Sequence, residues 1–277
     1  MTPSHASETA YAKINLALHV RMRRADGYHE LETVFAFAED GDRLTVAPAE
    51  GLSLTITGRF ATGLSADADN LVLRAARLLQ QRCGIGQGAA FTLDKQLPVA
   101  AGIGGGSADA AAALRLAARL WGLDATQLLT ADLGAELGAD VPACIASQTC
   151  IGTGVGEQLL PFADAAISGR AVLLVNPLIA CPTGPVFRQW DGMDRGPLDF
   201  ACWLHGRNDL EKPAIALHPE IAEVLRQLDM TKPDLARMSG SGATCFALYA
   251  SVEARNDAQQ AIAAACPQWW TMASSLR

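Results

Sequence analysis

Residues 98–122 join the most flexible backbone of the chain directly to a strong helix former. The stretch reads PVAAGIGGGSADAAAALRLAARLWG, with glycine at four of its first nine positions and an alanine-rich run directly after them. Glycine is poor in helices, whereas alanine has the highest helix propensity. The composition therefore predicts a bare loop over 102–106 and a rigid helix behind it, with Ser107 as its N-cap residue.

A bare loop at the head of a helix is suited to phosphate binding. The first N–H groups of a helix have no intrahelical acceptor, and the peptide dipoles add to a partial positive charge at that end. A phosphate binds there when no side chain blocks the backbone, and glycine also permits positive φ. We expect Gly102, Gly104, Gly105 and Gly106 to surround the anion, with the hydroxyl of Ser107 facing the helix amides, the phosphate or a metal. The alternative is a loop that leads into a core helix, where small residues allow close packing.

Two common nucleotide-binding motifs do not fit this stretch. No Gly-Lys-Ser/Thr follows the glycines, which argues against a Walker A loop. Ser107 replaces the third glycine of the G-x-G-x-x-G fingerprint, and no acidic residue ends a following strand at the usual distance. The pattern therefore argues against a dinucleotide-dependent oxidoreductase.

The composition narrows the class of protein. The chain has 277 residues, 50% of them hydrophobic, and a net charge of −7. An acidic chain without a Lys/Arg cluster lacks the footprint of nucleic-acid binding. No secretory signal pattern is visible, no apolar stretch is long enough to span a bilayer, and the seven scattered cysteines form no C-x-x-C pair. We expect a cytoplasmic protein of one large or two modest domains that binds neither nucleic acid nor membranes.

Hydrophobic periodicity and turn residues predict an α+β chain. Asp26-Gly27 is a hairpin turn signal, and residues 177–197 are predicted to be a loop. Asp124 and Gln127 form a predicted capping box. The pattern changes near residue 160, which predicts two closely packed halves, 1–160 and 161–277. Strands are predicted over 11–20, 28–37, 42–48, 52–58, 89–95, 169–177, 244–250 and 268–276, and helices over 70–82, 108–121, 124–137, 209–216, 219–228 and 251–266.

The segment PVAAGIGGGSADAA resembles the central motif of the GHMP kinases. Further segments resemble the branch of this family that phosphorylates a cytidine-diphosphate-linked methylerythritol, and they run in order along almost the full chain. They are AYAKINLALHVRMRRADGYHELETVF, DNLVLRAARLL, LGADVPACI, NDLE and RMSGSGATCFALY. The resemblance implies transfer of the ATP γ-phosphate to the 2-hydroxyl of that substrate, with Mg²⁺ expected beside ATP.

The resemblance also implies a two-domain GHMP kinase fold. An N-terminal ribosomal-protein-S5-like α/β domain, residues 1–160, would bind ATP. A C-terminal ferredoxin-like α+β domain, residues 161–277, would contribute to substrate binding, and the active site would lie in the cleft between the two. The resemblance leaves the oligomeric state open.

The family pattern assigns the chemistry to Lys13 and Asp140. Asp140 would accept the proton of the attacking hydroxyl, and Lys13 beside it would polarise that hydroxyl and keep the carboxylate ionised. Gly138 is predicted to end the preceding helix and Pro142 to prevent it from resuming, so that Asp140 lies on a fixed turn. Without the resemblance, Asp140 is a turn aspartate and Lys13 a solvated lysine on a strand.

The family pattern also implies the residues that bind the two substrates. His29 would hydrogen-bond the cytosine edge while Tyr28 and Phe187 stack on its two faces. Asn15, Thr183 and Ser241 would complete the contacts to this substrate. The residues implied for ATP are Asn70 and Lys95, near the adenine, and Pro98, Val99, Ala100, Ala101, Gly102, Ile103, Gly104, Gly105, Gly106, Ser107 and Ala108.

Some positions depart from the family pattern or leave it incomplete. Ala108 stands where many relatives carry a second serine, so that one hydroxyl near the phosphates is missing. The ligands of Mg²⁺ are unknown, and Ser107 is the one candidate. Two other functions are compatible with the glycine motif: another GHMP kinase of the homoserine or mevalonate type, and a ligand sensor without catalysis on the same scaffold.

Overall fold

The structure is a computed structural model that describes residues 6–277, apart from the side chain of Gln127. The chain divides into two compact units. Unit 1 contains the residues up to Ala12, Asp40–Val99 and Gly104–Ser147, and unit 2 contains Lys13–Glu39, Ala100–Ile103 and Gln148–Arg277. The division of the chain at residue 160 remains a prediction.

Groups of strands and groups of helices follow one another along the described chain. Strands β1 and β2 each continue from one unit into the other. In chain order the elements are β1 (Ala6–Arg23), β2 (His29–Ala49), β3 (Leu52–Thr57), α1 (Leu71–Cys83), β4 (Gly88–Asp94), α2 (Gly105–Leu120), α3 (Ala125–Leu128), α4 (Ala131–Ala135), α5 (Val141–Ala146), β5 (Cys150–Thr153), β6 (Gln158–Pro161), β7 (Ala171–Asn176), α6 (Thr183–Arg188), a 3-10 helix (Phe200–His205), α7 (Glu211–Leu217), α8 (Glu220–Met230), β8 (Leu235–Met238), β9 (Cys245–Tyr249), α9 (Val252–Ala265) and β10 (Trp270–Ser275).

In unit 1, β4 lies between two strands and two helices pack on each other. Strand β4 pairs parallel with β3 and antiparallel with the C-terminal half of β2. Helix α1 packs against α2. The side chain of Asn70 accepts a hydrogen bond from Val72 N at the start of α1, and Gly84 ends α1 with a φ of 64°. The alanines of α2 are fully buried, which lets neighbouring elements pack close to its backbone.

In unit 2, a four-stranded antiparallel sheet has the order β10-β7-β9-β8. Every residue of β7 and β9 is buried, as their continuous apolar sequences require. Val224 of α8 and Ile262 of α9 belong to the hydrophobic core of this unit. The N-terminal half of β2 pairs antiparallel with β5, and β5 pairs with β6.

Most predicted elements are confirmed, and three predictions are wrong. Two separate strands were expected over 28–37 and 42–48, but these residues belong to the single strand β2. Gly41 lies within this strand because a larger residue would not fit there: a Cβ on Gly41 would lie 1.9 Å from Ala10 O. The predicted helix 124–137 is broken into α3 and α4, and Thr130 caps α4. The predicted loop 177–197 contains helix α6. The sequence reading also missed β5, β6, β8 and the 3-10 helix.

Two further expectations concern single features. Asp124 does cap α3, while the side chain of its predicted partner Gln127 lies outside the described structure. Gly27 has a φ of 89° in the predicted hairpin turn. Across residues 6–277, no helix has the length and apolar character that a membrane span needs.

Candidate active site

Helix α2 begins earlier than predicted. Gly104 precedes the helix with a φ of 63°, and the helix starts at Gly105. Ser107 is therefore the third helical residue, and its prediction as the N-cap is wrong, because Gly104 can adopt the left-handed φ that starts the helix three residues sooner. The first helical N–H groups are consequently those of Gly105, Gly106 and Ser107.

The loop before α2 has the backbone pattern of an anion site. Ala100, Gly102 and Gly104 have positive φ values of 53°, 74° and 63°. Left-handed residues that alternate with right-handed ones point successive N–H groups into one concavity, which binds anions. The 16 residues of α2 add a helix dipole at its end. These φ values are compatible with an anion site, and phosphate binding at this loop stays a prediction.

Close packing also accounts for part of the glycine pattern. A Cβ on Gly102 would lie 2.5 Å from Ser239 O and 2.7 Å from Gly242 O. A Cβ on Gly105 would lie 3.1 Å from Lys95 Nζ, whereas the nearest atom for Gly106 is 3.4 Å away. Packing therefore requires a glycine at 102, whereas phosphate binding at the start of α2 stays a prediction.

A buried chain of hydrogen bonds joins the glycine loop to Lys13 within unit 2. The hydroxyl of Ser239 donates to Gly102 O at 2.9 Å and accepts from Asn15 N at 3.1 Å. Asn15 Oδ1 accepts from Lys13 Nζ at 3.0 Å. The backbone N–H of Lys13 donates to Ile103 O at 3.0 Å, so the loop is fixed to β1 at two points. Lys13 is thus a buried residue of β1, and the expectation of a solvated lysine is wrong.

Ser239→Ala is expected to destabilise the protein and to weaken catalysis. Ser239 is fully buried, so its loss leaves Gly102 O and Asn15 N without these partners. An unpaired buried polar group costs about 1–3 kcal/mol. Urea denaturation and ADP-release kinetics check this, with Ser168→Ala, an exposed serine of the same unit, as the control. Equal stability and kcat in both variants would rule out the linking role of Ser239.

Lys95 lies in a buried cluster of three charges in unit 1. Its ammonium contacts the carboxylates of Asp42 and Asp109, the latter at 2.7 Å. Asp42 Oδ1 also accepts from the backbone N–H groups of Gln96 at 2.6 Å and Leu97 at 2.8 Å. Lys95 is only 3% exposed. The contact of Lys95 with adenine stays a prediction. Its contact with Asp109 of α2 indicates instead that Lys95 anchors the start of that helix.

Burial and the neighbouring charges shift the pKa values of Lys95 and Asp109 in this cluster. Burial lowers the pKa of Lys95, but Asp109 and Asp42 outweigh this effect and hold the pKa above its ordinary value. Burial raises the pKa of Asp109 from 3.8 to about 7, against the opposing charge of Lys95. Asp109 Oδ1 is buried and accepts no hydrogen bond from the described residues, which agrees with a carboxyl group that is easily protonated.

Asp109→Asn is expected to change the pH dependence of stability. Between about pH 4 and 7 the folded state binds a proton at Asp109 that the unfolded state lacks. The contribution of Asp109 to the free energy of unfolding therefore falls as pH rises through this range. The free energy of unfolding of the variant, measured by urea denaturation, should therefore rise relative to that of the wild type as the pH is raised from 4 to 8. Asp132→Asn, an exposed change in the same unit, should show no such trend, and an equal trend in both variants would contradict the assignment.

Asn70 and Asp140 both lie at helix starts in unit 1. Besides capping α1, Asn70 donates from Nδ2 to Ser65 O at 2.8 Å. Asp140 precedes α5, and Pro142 is in the first turn of that helix. The expectation that Pro142 keeps the helix from resuming is therefore wrong, because proline is compatible with a first helical turn. The Asp140 side chain forms no capping bond to α5.

Two of the residues predicted to bind cytosine, His29 and Phe187, form an aromatic cluster with Trp190 in unit 2. The ring centroids of His29 and Phe187 are 4.8 Å apart, and Trp190 lies edge-on to His29 at 5.6 Å. Burial, and secondarily the charge of Arg23, lowers the pKa of His29, which favours the neutral imidazole at pH 7. Tyr28 is 64% exposed. Sequence reasoning missed Trp190, which lies just beyond the end of α6, three residues after Phe187.

The structure brings together two more predicted substrate residues and leaves metal ligands unassigned. Thr183 Oγ1 and Ser241 Oγ are 2.9 Å apart, at the start of α6 and in the loop before β9. No cluster of three or more His, Cys, Asp or Glu side chains suited to a metal occurs among residues 6–277. The carboxylates of Asp42 and Asp109 are engaged by Lys95. A site for Mg²⁺ built from protein carboxylates alone therefore does not fit these residues.

Comparison with known proteins identifies the family. The GHMP kinases N terminal domain matches residues 70–148, and the GHMP kinases C terminal domain matches residues 194–268. A 4-diphosphocytidyl-2-C-methyl-D-erythritol kinase of Sphingopyxis alaskensis is 52% identical over 277 residues, which is 98% of each chain. The kinase of the same name from Novosphingobium aromaticivorans is 54% identical over 98% of this chain and 92% of that protein.

Solved structures agree with this assignment. A crystal structure of 4-(cytidine 5'-diphospho)-2C-methyl-D-erythritol kinase has a TM-score of 0.84 and 33% identity, over 98% of this chain and 99% of that one. A homoserine kinase from Cytophaga hutchinsonii shares the fold, with a TM-score of 0.72 at 16% identity. The chain therefore belongs to the GHMP kinases and, among them, to the family of the 4-diphosphocytidyl-2-C-methyl-D-erythritol kinases.

Proposed function

We propose that this chain phosphorylates the 2-hydroxyl of 4-(cytidine 5'-diphospho)-2-C-methyl-D-erythritol with ATP, a step of the methylerythritol phosphate route to isoprenoid precursors. The relatives with this named activity match along nearly the full chain. The observation that carries the proposal is the hydrogen-bond chain from Gly102 through Ser239 and Asn15 to Lys13. This chain of hydrogen bonds connects the loop that we assign to the phosphates with the strand that bears the buried Lys13.

The phosphates of ATP are assigned to the loop before α2 and to the first turn of that helix. Backbone N–H groups are suited to this role because they bind oxyanions without a counter-ion. Mg²⁺ would neutralise the charge on the transferred phosphoryl group. It would be held mainly by the ATP phosphates, with the Ser107 hydroxyl as the one protein ligand that we name.

Lys13 and Asp140 are assigned to the acceptor hydroxyl. The carboxylate of Asp140 would take the hydroxyl proton while the oxygen attacks the γ-phosphorus and the bond to ADP breaks. The ammonium of Lys13 would donate to the same oxygen and stabilise the charge that develops on it. Asn15 Oδ1 orients this ammonium, since it accepts from Lys13 Nζ at 3.0 Å.

His29 and its aromatic neighbours are assigned to the cytosine base. A neutral imidazole has one N–H donor and one acceptor nitrogen, so it can pair with the edge of a base that offers both kinds of group. Contacts with Phe187 and Trp190 limit the orientation of the His29 ring. The exposed ring of Tyr28 and the ring of Phe187 would supply stacking surfaces, and Thr183 and Ser241 would contact the remainder of the substrate.

Acceptor-dependent ADP release tests the proposed function. The purified protein is incubated with ATP, Mg²⁺ and one acceptor: the cytidylyl substrate, homoserine, mevalonate or galactose. We expect rapid ADP release with the cytidylyl substrate alone, and phosphate on its 2-hydroxyl by NMR. Release with another acceptor would replace the proposed substrate, and release with none would favour a ligand sensor.

A further inference from the structure

Unit 2 contains a cavity that the proposed function does not use. Its volume is about 510 Å³, within the range of small-molecule sites. The wall is formed by 189–195, by the segment 206–216 before and within α7, and by Ala236 and Arg237 of β8. Of these residues, Trp190 contacts His29 of the assigned cytosine site, and the others are not assigned above to ATP or to the cytidylyl substrate.

The cavity is locally basic although the chain is acidic. Four basic side chains line it against three acidic ones, whereas the net charge of the chain is −7. Two of the basic groups are paired with carboxylates: Arg207 Nε with Asp209 at 2.7 Å, and Arg195 with Asp191. The other two basic residues, Arg237 and Lys212, therefore account for the basic charge of the cavity.

Arg237 is a buried cation held by main-chain oxygens. It is 7% exposed, and within the described structure its guanidinium donates to the carbonyl oxygens of Leu16, Leu204 and Gly206. Burial lowers the pKa of Arg237 to about 10, and the more distant charge of Glu211 only partly offsets this. Glu211 Oε2 itself accepts from Met238 N at 3.0 Å. A buried cation without a carboxylate in contact gains from a nearby anion.

Two further donors lie at the wall of the cavity, Lys212 and Trp190. Lys212 is exposed, and no hydrogen bond or ion pair of its ammonium occurs within residues 6–277. Trp190 is 8% exposed, and its Nε1 is buried without an acceptor in the described part of the chain. Native proteins satisfy nearly all buried polar groups, such as this indole N–H, with a partner, a water or a ligand.

From the cavity, its basic wall and the buried indole N–H of Trp190, we propose that this part of unit 2 binds a small molecule carrying an oxyanion, a phosphate or a carboxylate. Lys212 would bind the oxyanion at the rim, and the buried charge of Arg237 would stabilise it from within. Arg195 and Arg207 would keep their carboxylate partners and contribute to the local potential. The proposal does not depend on the identity of the kinase substrate.

Calorimetric titration of the full chain tests the proposal. Pyrophosphate is the probe for a phosphate, and citrate the probe for carboxylates. Both are titrated into protein saturated with a non-hydrolysable ATP analogue, so that the loop before α2 is already filled. We expect one of the two to bind, and Lys212→Glu to weaken that binding at least about 10-fold, as a reversed charge at the contact should. Lys232→Glu makes the same charge change at an exposed lysine elsewhere on unit 2 and should leave binding unchanged.

A second readout reports on the cavity wall directly. The indole N–H signal of Trp190, assigned by its loss in Trp190→Phe, should shift in ¹H–¹⁵N spectra during the same titration. Absence of binding, binding only when the ATP analogue is left out, or equal affinity in Lys212→Glu and Lys232→Glu would each overturn the proposal. These outcomes are independent of turnover and so are separable from failure of the proposed kinase activity.

Discussion

Replacing Asp140 by asparagine is expected to lower kcat by about 10²–10⁴-fold with little change in the KM for ATP. The amide has nearly the shape of the carboxylate but cannot accept the hydroxyl proton. Because the Asp140 side chain forms no capping bond to α5, the helix start should be preserved. ADP-release kinetics with the cytidylyl substrate measure kcat and both KM values, and circular dichroism with thermal denaturation measures the fold.

Asp132→Asn provides the matched control for Asp140→Asn. Asp132 is an exposed aspartate in the first turn of α4, in the same unit, and removal of its charge should leave kcat unchanged. The two variants carry the same net charge, so a difference between them cannot come from the overall potential. If Asp140→Asn kept more than about a tenth of the wild-type kcat, a role for Asp140 as general base would be excluded, since such groups contribute at least about 10²-fold.

The glycine–alanine junction shows how far local sequence determines this fold. Residue types alone predicted a bare loop followed by a helix, because propensity and backbone access are properties of single residues. The start of α2 was misplaced by three residues because Gly104, with a φ of 63°, precedes the helix in place of Ser107. The same local rules divided β2 at Gly41, where a glycine is required by the approach of the Ala10 carbonyl.

The long-range part of the site could not be read from spacing. Lys95 meets a carboxylate 53 positions earlier in the chain and another 14 positions later. Ser239 contacts Asn15 across 224 positions. Such contacts depend on how the helices and strands pack, and neither hydrophobic periodicity nor a sequence motif predicts them. Lys13 and Asp140 were found through the family resemblance, since an isolated lysine in a strand and an aspartate after a glycine carry little signal by themselves.

Asp42→Ala is expected to lower the free energy of unfolding by about 3–5 kcal/mol, more than any other substitution considered for unit 1. Asp42 is fully buried and contacts the Lys95 ammonium. Its loss leaves that cation with Asp109 as its remaining carboxylate partner and deprives the N–H groups of Gln96 and Leu97 of their acceptor. Urea denaturation measures the free energy of unfolding, and calorimetry should show a lower melting temperature.

Two further variants separate charge from hydrogen bonding at Asp42. Asp42→Asn keeps an oxygen for Gln96 and Leu97 but loses the charge, so its destabilisation should be smaller than that of alanine. Glu39→Ala removes an exposed carboxylate three residues earlier in β2 and should cost less than about 1 kcal/mol. Equal stability of Asp42→Ala and Glu39→Ala would mean that the buried cluster does not hold residues 95–97. The start of the glycine loop would then need another anchor, because Lys95, Gln96 and Leu97 lead directly into it.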